Sequence, residues 1–264
     1  MGGDLIMQKQ SRLYETNYNN QGCLMKIIEY ANAHDIIVEF QDEYRARIHT
    51  EYKHFVSGIV KNPYFHSVFG VGMIGEKYLM SINGKITKEH FAWRGIMSRC
   101  YDNKRKEKSP TYENVTCCEE WLLYDNFYEW LHNQENFNKW YEGKKWAIDK
   151  DILIKGNKVY SPYTCCLVPE NVNLLFTKRD RFRGNFPIGV RENGNGFQAQ
   201  WNNQLTNKKE CSSNYSTPEN AFYFGYKPHK EALIKQVAEI EYNNGNITKQ
   251  CYNSMMNYEV EITD

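Results

Sequence analysis

Four basic residues and one aromatic residue stand together in the run 178–183. The run consists of Lys178, Arg179, Asp180, Arg181, Phe182 and Arg183. Guanidinium and ammonium groups bind phosphates, and an aromatic ring between them can stack on a base. A short basic run is also often no more than a solvated linker. The four basic residues are therefore candidate contacts to DNA, with a plain linker as the alternative.

Cysteine is the second residue type with its own chemistry, because eight cysteines are spread along the chain. None of them forms a Cys-x-x-Cys pair, so we expect reduced thiols rather than a disulfide framework. Thiolates favour tetrahedral zinc. Such a site could draw on Cys100, on Cys117 or Cys118, and on Cys165 or Cys166. Free cysteine is more often a small buried apolar residue, and both interpretations stay open.

The charge balance limits the kind of partner the protein can bind. Its 264 residues carry 33 Lys and Arg against 32 Asp and Glu, a formal net charge of +1. This excludes a histone-like polycation, so nucleic-acid binding would need a local patch. No stretch approaches the roughly 18 apolar residues of a membrane helix, and the first residues lack a signal-peptide pattern. We therefore expect a cytoplasmic protein of two or three small modules that does not contact a membrane.

The amino-terminal part of the chain predicts a polar lead and a β-rich module. Residues 1–20 offer no periodic apolar face and are expected to form a flexible lead. Residues 24–30, 35–40 and 44–49 are short runs rich in Ile, Val and Phe, separated by polar turns. This pattern is typical of consecutive antiparallel strands. The β-rich module is assigned to residues 21–84.

A central module, 85–183, is expected to begin with helices. Thr87 is a suitable N-cap for a helix that ends near Tyr101. Its apolar stripe recurs at intervals of three and four residues and consists of Trp93, Ile96, Met97, Cys100 and Tyr101. A second aromatic helix is expected over 119–133, followed by short strands and a helix over 171–176.

The last module, 184–264, is predicted to be a three-stranded antiparallel sheet with a helix. Its strand candidates are 186–191, 196–201 and 208–211, joined by turns rich in Asn and Gly. Thr217 caps the helix, Pro218 takes the favoured first position, and Pro228 predicts a break near Lys227. Together the modules predict an α+β fold.

The segment 147–174 combines several features in a fixed order. They are the polar pair Asp149 and Lys150, the turn Gly156 and Asn157, the triplet Tyr160, Ser161 and Pro162 with Cys165, and Asn171 with Asn173. With the two preceding helices, this combination resembles HNH endonuclease-like proteins of bacteriophages, over about residues 88–178. The resemblance implies a β-hairpin followed by a helix, a ββα unit that binds double-stranded DNA.

Hydrolysis in that family requires a histidine that removes a proton from water beside a divalent cation. All seven histidines lie outside the hairpin and helix of the segment 147–174, at His34, His49, His54, His66, His90, His132 and His229. Lys150 stands where the base would be, and its ordinary pKa of about 10.4 would keep it charged. Cleavage is therefore expected to be weak or absent.

The remaining polar residues of the segment receive roles from the same resemblance. Asp149 and Asp151 are implied as catalytic ligands of Mg²⁺, with Asn173 as a third oxygen ligand, since oxygen ligands suit hard cations. Lys150 is implied as a phosphate contact. No cofactor is certain, because the two carboxylates could instead be turn residues on a scaffold that no longer binds metal.

Three stretches of the last module carry a second resemblance. They are residues 186–190, 196–201 and 216–222, which read FPIGV, GFQAQW and STPENAF. In combination they resemble the plant ethylene-response-factor (APETALA-type) DNA-binding domain and its phage relatives. The resemblance implies that the sheet enters the major groove and that its outward side chains contact bases and phosphates. The positions that match are Arg191, Gln198, Gln200 and Asn202, which become candidate DNA contacts.

The sequence therefore predicts a phage-type DNA-binding protein with a degenerate HNH scaffold, whose partner is double-stranded DNA. Two other functions stay open. The aromatic content of 15% and the small net charge also fit a phage protein that binds and inhibits a host antiviral defence protein. The third function is a metal-dependent DNA nickase or homing-type endonuclease with an altered metal site.

Overall fold

Alternating apolar residues build an antiparallel sheet near the amino terminus. The computed structural model describes residues 12–177 and 185–264. In it the strands β1 (Thr16–Tyr18), β2 (Leu24–Asn32), β3 (Asp35–Phe40) and β4 (Arg47–Thr50) pair in this order. Alternating residues in the first half of β2 and along β3 are buried in a core that also contains Phe55 of the helix α1 (Tyr52–Ser57). The three predicted strands are confirmed, and β1 adds a fourth strand within the expected lead because it pairs with β2.

The chain divides into two compact units, Met1–Asn103 with Glu119–Tyr128 and Lys104–Cys118 with Glu129–Asp264. The first unit continues with a small hairpin, β5 (Ser81–Ile82) and β6 (Lys85–Ile86), and with the helix α2 (Lys88–Tyr101). The Thr87 hydroxyl accepts a hydrogen bond from the backbone N–H of His90, which confirms the predicted N-cap. The predicted stripe from Trp93 to Cys100 is buried.

The second unit contains a pair of strands followed by a helix. Its early elements are α3 (Asn103–Lys108), β7 (Thr116–Cys117), α4 (Tyr124–His132), which begins in the first unit, and α5 (Phe137–Glu142). Then come β8 (Trp146–Asp149), β9 (Val159–Tyr160), β10 (Cys166–Pro169) and α6 (Glu170–Phe176). β10 is antiparallel to β8, while β9 pairs in parallel with β7.

The carboxyl-terminal part is a three-stranded antiparallel sheet followed by helices. The strands β11 (Val190–Asn193), β12 (Gly196–Asn203) and β13 (Lys208–Tyr215) pair in chain order. The helices are α7 (Pro218–Asn220), α8 (Lys227–Asn243) and α9 (Lys249–Met256), with a π-helical stretch, Ala221–Tyr226, between the first two. The predicted break near Pro228 is therefore a wider helical turn, in which the missing N–H of proline is tolerated.

The π-helical stretch and α8 pack closely against the inner face of the three-stranded sheet. Ala199 and Trp201 of β12 are buried in one core with Phe222 and Val237. A Cβ atom at Gly225 would lie 2.8 Å from the Cβ of Ala199, so the close approach of helix and sheet requires glycine there.

The fold is thus mixed α+β with several small sheets, as the sequence predicts. None of the helices in the described ranges combines the length and the apolar character that crossing a bilayer requires.

Candidate nucleic-acid interface

One face of the carboxyl-terminal sheet is covered by the helix, and the other is polar and accessible. Val190, Ala199 and Trp201 are buried, and the alternating positions point away from the core. We call these positions the outward sheet face: Arg191 on β11, Gln198, Gln200 and Asn202 on β12, and Lys209, Cys211 and Asn214 on β13. Strand pairing therefore brings together all four positions of this sheet that were predicted as DNA contacts.

Strand register arranges the outward sheet face in rows. Arg191 and Asn214 both lie opposite Gln198. Gln200 lies opposite Cys211, and Asn202 lies opposite Lys209. A bulge on β13 between Cys211 and Asn214 absorbs one extra residue and leaves β12 regular.

Hydrogen bonds hold the first row in place. A guanidinium N–H of Arg191 donates to Gln198 Oε1 at 2.9 Å, and Gln198 Nε2 donates to the carbonyl oxygen of Ser212 at 2.7 Å. Arginine has five N–H donors, so this single bond leaves others directed to solvent. The guanidinium group is therefore positioned but still able to bind a partner.

The outward sheet face is positively charged. Arg191 and Lys209 are its charged groups, and over the described strands 190–215 it carries no carboxylate. Glu210 lies on the alternate side, where its carboxylate accepts from Trp201 Nε1 at 3.0 Å and from Asn203 Nδ2 at 2.7 Å. The face thus combines two cations with four side-chain amides.

The polar residues after β8 are engaged with one another. Asp149 is buried, and its Oδ1 accepts from the backbone N–H groups of Asp151 at 2.7 Å and Ile152 at 2.8 Å. Burial raises the pKa of Asp149, although the two backbone donors favour its anion. This carboxylate acts as the cap of a turn.

Lys150 fills the space beside the second carboxylate. Its Nζ lies 2.7 and 2.8 Å from the carboxylate oxygens of Asp151, and it donates to the carbonyl oxygen of Asn157 at 2.8 Å. The Lys150 side chain is buried. The ammonium group therefore pairs with the carboxylate of Asp151, which was expected to bind Mg²⁺. We call Asp149, Lys150, Asp151 and Asn157 the hairpin cluster.

Asn173 and the cysteines do not complete a metal site in the described chain. Asn173 lies on α6, and its side chain makes no hydrogen bond to Asp149 or Asp151 among the described residues. Within 12–177 and 185–264, no group of three or more His, Cys, Asp or Glu side chains could hold a metal ion. Burial raises the pKa of Cys165 to about 12, which keeps this thiol protonated at neutral pH.

Four of the predicted DNA contacts, Lys178, Arg179, Arg181 and Arg183, lie outside the described residues. Lys209 and Asn214 were missed by the sequence reasoning, because the third strand was expected to end at Cys211 and its register was unknown. Strand alternation around Lys208 and Lys209 was the available signal. Comparisons with protein-family models, with curated proteins and with solved structures find no match to this chain.

Proposed function

We propose that the protein binds double-stranded DNA through the outward sheet face and cleaves it weakly or not at all. The observation that supports this most strongly is the composition of that face. It presents Arg191 and Lys209 beside four amides, without a carboxylate. In this proposal the chain is a phage-type DNA-binding protein with a degenerate HNH scaffold.

The groups of the outward sheet face match those of a DNA groove. Arginine binds guanine O6 and N7, and the amides of Asn and Gln bind adenine N6 and N7 in pairs. Sheets of two or three strands enter the major groove in several DNA-binding folds. The core of a protein interface would instead be rich in aromatic and apolar side chains, and the described face has only Cys211 of low polarity.

The geometry of the hairpin cluster favours a structural role over cleavage. A general base must be free to accept a proton within hydrogen-bond reach of its substrate. The ammonium group of Lys150 is paired with Asp151 and with a carbonyl oxygen. Asp149 is committed to two backbone N–H groups. The duplex contact is therefore assigned to the sheet.

The number of cations sets the expected salt dependence. Each neutralised phosphate contributes a slope of about 0.9 in a plot of log affinity against log salt. Arg191 and Lys209 alone would give a slope of about two. The four basic residues of 178–183 would raise it to about five if all of them contact phosphates.

Fluorescence anisotropy of a labelled duplex, at about 50 mM and about 200 mM salt, tests the proposal. The double variant Arg191→Ala with Lys209→Ala should weaken binding and lower the salt slope by about two. The control is Arg45→Ala with Arg47→Ala, which removes two exposed cations that are already paired with Glu39. Equal losses in both double variants, or no duplex binding by the full chain at the lower salt, would refute the proposal.

A second candidate function, binding of a host protein, is favoured by exposed apolar side chains that lie close in the sequence of the first unit. Leu79 is 70% exposed and Phe91 is 72% exposed, and Ile82 and Ile86 of the small hairpin between them are also exposed. Clusters of exposed apolar side chains commonly mark protein interfaces. Ile82→Asp with Phe91→Asp should abolish co-purification of a stoichiometric protein from nuclease-treated host lysate. Retention of that protein by the variant would exclude Ile82 and Phe91 as parts of its binding site.

A further inference from the structure

A cavity of about 840 Å³ opens next to the outward sheet face. Residues around Ile188 and Val190, the end of β12, and the helical residues Tyr226 and Lys230 form its walls. Pockets for small ligands commonly measure about 300–1,000 Å³. All of these walls belong to the second unit. The cavity is therefore large enough for a ligand of the size of a nucleotide.

A buried cation without a partner lies in this cavity. Lys230 is 8% exposed, and its Nζ makes no hydrogen bond or ion pair with any residue of 12–177 or 185–264. Burial lowers the pKa of Lys230 to about 8, because the ammonium form loses solvation. The cation still dominates at neutral pH. An uncompensated buried charge is unfavourable, and an anionic group placed beside it would be stabilised.

The other charges of the cavity reinforce the attraction of an anion. Arg191 and Lys209 line the same cavity, and Glu192 is the acidic residue among its described walls. Tyr226 also lines the cavity. The walls that the structure describes therefore carry three cations against one carboxylate near neutral pH.

Two amide oxygens in the cavity lack hydrogen-bond donors. Gln200 Oε1 and Gln204 Oε1 are buried, and neither has a partner in the described parts of the chain. Buried polar atoms of this kind are rare in folded proteins and usually have a partner. A ligand that supplies N–H groups at this position would satisfy both oxygens.

Aromatic side chains complete the walls. Phe186, Trp201 and Tyr226 line the cavity, and the Trp201 ring is held by stacking on His229 with ring centres 4.7 Å apart. The ligand therefore needs an anionic group, N–H donors and a flat body of low polarity. An inorganic anion lacks the last two, and a fatty acid lacks the donors.

We propose that this cavity binds one nucleotide, with its phosphate at Lys230 and the N–H groups of its base at Gln200 and Gln204. The same chemistry has two sources, a free mononucleotide or an unpaired nucleotide of a DNA strand. The second source rests on the proposed duplex binding, because Arg191, Gln200 and Lys209 belong to both the cavity and the outward sheet face.

Titration calorimetry with the full chain tests the free-nucleotide source. The probes are dAMP, dGMP and dCMP, with the unphosphorylated nucleosides and inorganic phosphate as comparisons. Lys230→Met should weaken nucleotide binding by about tenfold or more, since hydrogen bonds to charged groups are among the stronger ones. The control Lys235→Met lies on an exposed position of the same helix and should bind as the natural chain does.

A second set of probes tests the strand source. A labelled duplex with one unpaired nucleotide is compared with the matched duplex, for the natural chain, Lys230→Met and Lys235→Met. Tighter binding of the unpaired-nucleotide duplex that is lost only in Lys230→Met supports the proposal. Gln204→Leu should reduce nucleotide binding without reducing phosphate binding, because it removes an acceptor and no charge.

The two proposals fail separately in these experiments. If the matched duplex binds but no probe depends on Lys230, the cavity proposal is overturned and duplex binding stands. If no duplex binds but a free nucleotide binds in a Lys230-dependent manner, the cavity proposal stands alone. Inorganic phosphate that binds as tightly as the nucleotides would overturn the assignment to a nucleotide.

Discussion

The two antiparallel sheets of this protein differ in whether their basic side chains form ion pairs. In the amino-terminal sheet, Arg45 and Arg47 contact Glu39 at 3.4 and 3.0 Å, and His49 contacts Asp35 at 2.7 Å. In the carboxyl-terminal sheet, Arg191 contacts an amide, and Lys209 has no ion pair within the described chain. The formal net charge of +1 conceals this difference. Pairing, rather than the number of basic residues, distinguishes an ordinary surface from a candidate interface.

The hairpin cluster resembles the amino-terminal sheet in that its charged groups are paired. Its lysine and its carboxylates satisfy one another and the backbone. The sequence singled out residues of both the hairpin cluster and the outward sheet face, and their contacts in the structure separate the two groups. A paired cluster stabilises its own turn, whereas an unpaired face leaves donors for a partner.

The largest effect is expected where a paired group is removed. Asp149→Ala leaves the backbone N–H groups of Asp151 and Ile152 without an acceptor in a buried turn. The free energy of unfolding should fall by about 3 kcal/mol, measured by urea denaturation. Asp149→Asn keeps an acceptor oxygen for these N–H groups and removes the buried charge, so it should lose less stability than Asp149→Ala. Equal losses in both variants would show that the turn does not depend on this acceptor.

The next effect concerns the unpaired cation behind the carboxyl-terminal sheet. The pKa of Lys230 is lowered from 10.5 to about 8, so between these values the unfolded chain binds more protons and stability rises with pH. Below about pH 8 Lys230 is charged in the folded chain as well, and the burial of its charge lowers the stability by the full amount. Lys230→Met should therefore stabilise the protein by about 2 kcal/mol at neutral pH, with a difference that vanishes above about pH 10.5.

Thermal unfolding of Lys230→Met and of the control Lys235→Met over this pH range measures the effect. A stability difference that is independent of pH would mean that Lys230 has a compensating partner in solution.

A charge reversal on the outward sheet face should produce a smaller effect. Lys209→Glu places a carboxylate next to Asn202 and should weaken duplex binding by about tenfold. Lys208→Glu changes the net charge equally but occupies the alternating strand position, opposite Asn203. Anisotropy titrations of both variants separate the two contributions. Equal losses would indicate that total charge, and not the outward sheet face, controls affinity.

The smallest effect is expected when the arginines of the amino-terminal sheet lose their carboxylate partner, as this sheet then resembles the carboxyl-terminal one. Glu39→Gln releases Arg45 and Arg47 from their carboxylate. Nonspecific affinity for duplex DNA at low salt should increase by about threefold and return to the natural value at high salt. Glu43→Gln makes the same change in net charge at an exposed position and releases neither arginine. A gain of equal size in this control would contradict the role of pairing.

Local patterns predicted most of the secondary structure. Thr87 and Thr217 cap helices as expected, because their hydroxyls satisfy backbone N–H groups close in the chain. Three of the four strands of the amino-terminal sheet and the three strands of the carboxyl-terminal sheet follow from short-range alternation, although their bounds shift by a few residues. Pairing between distant segments could not be read in this way, and the parallel contact of β7 with β9 was missed. The bounds of the predicted modules stay predictions.

The candidate sites were predicted as residue types without their partners. The sequence placed Asp149, Lys150 and Asp151 together, but the direction of the Lys150 ammonium group depends on how the chain turns at Asn157. Lys230 belongs to an amphipathic helix, and its burial results from packing of that helix beneath a sheet. Neither property is encoded by spacing alone.

The regularity of β12 has a geometric consequence for the DNA it would recognise. Two residues of an antiparallel strand advance about 6.8 Å, and two nucleotides of a B-form strand also advance about 6.8 Å. Because the bulge lies on β13, the spacing from Gln198 to Gln200 to Asn202 is uninterrupted. In the proposed complex, a strand aligned with the duplex axis would therefore meet every second base pair, and its target would show constrained positions alternating with free ones.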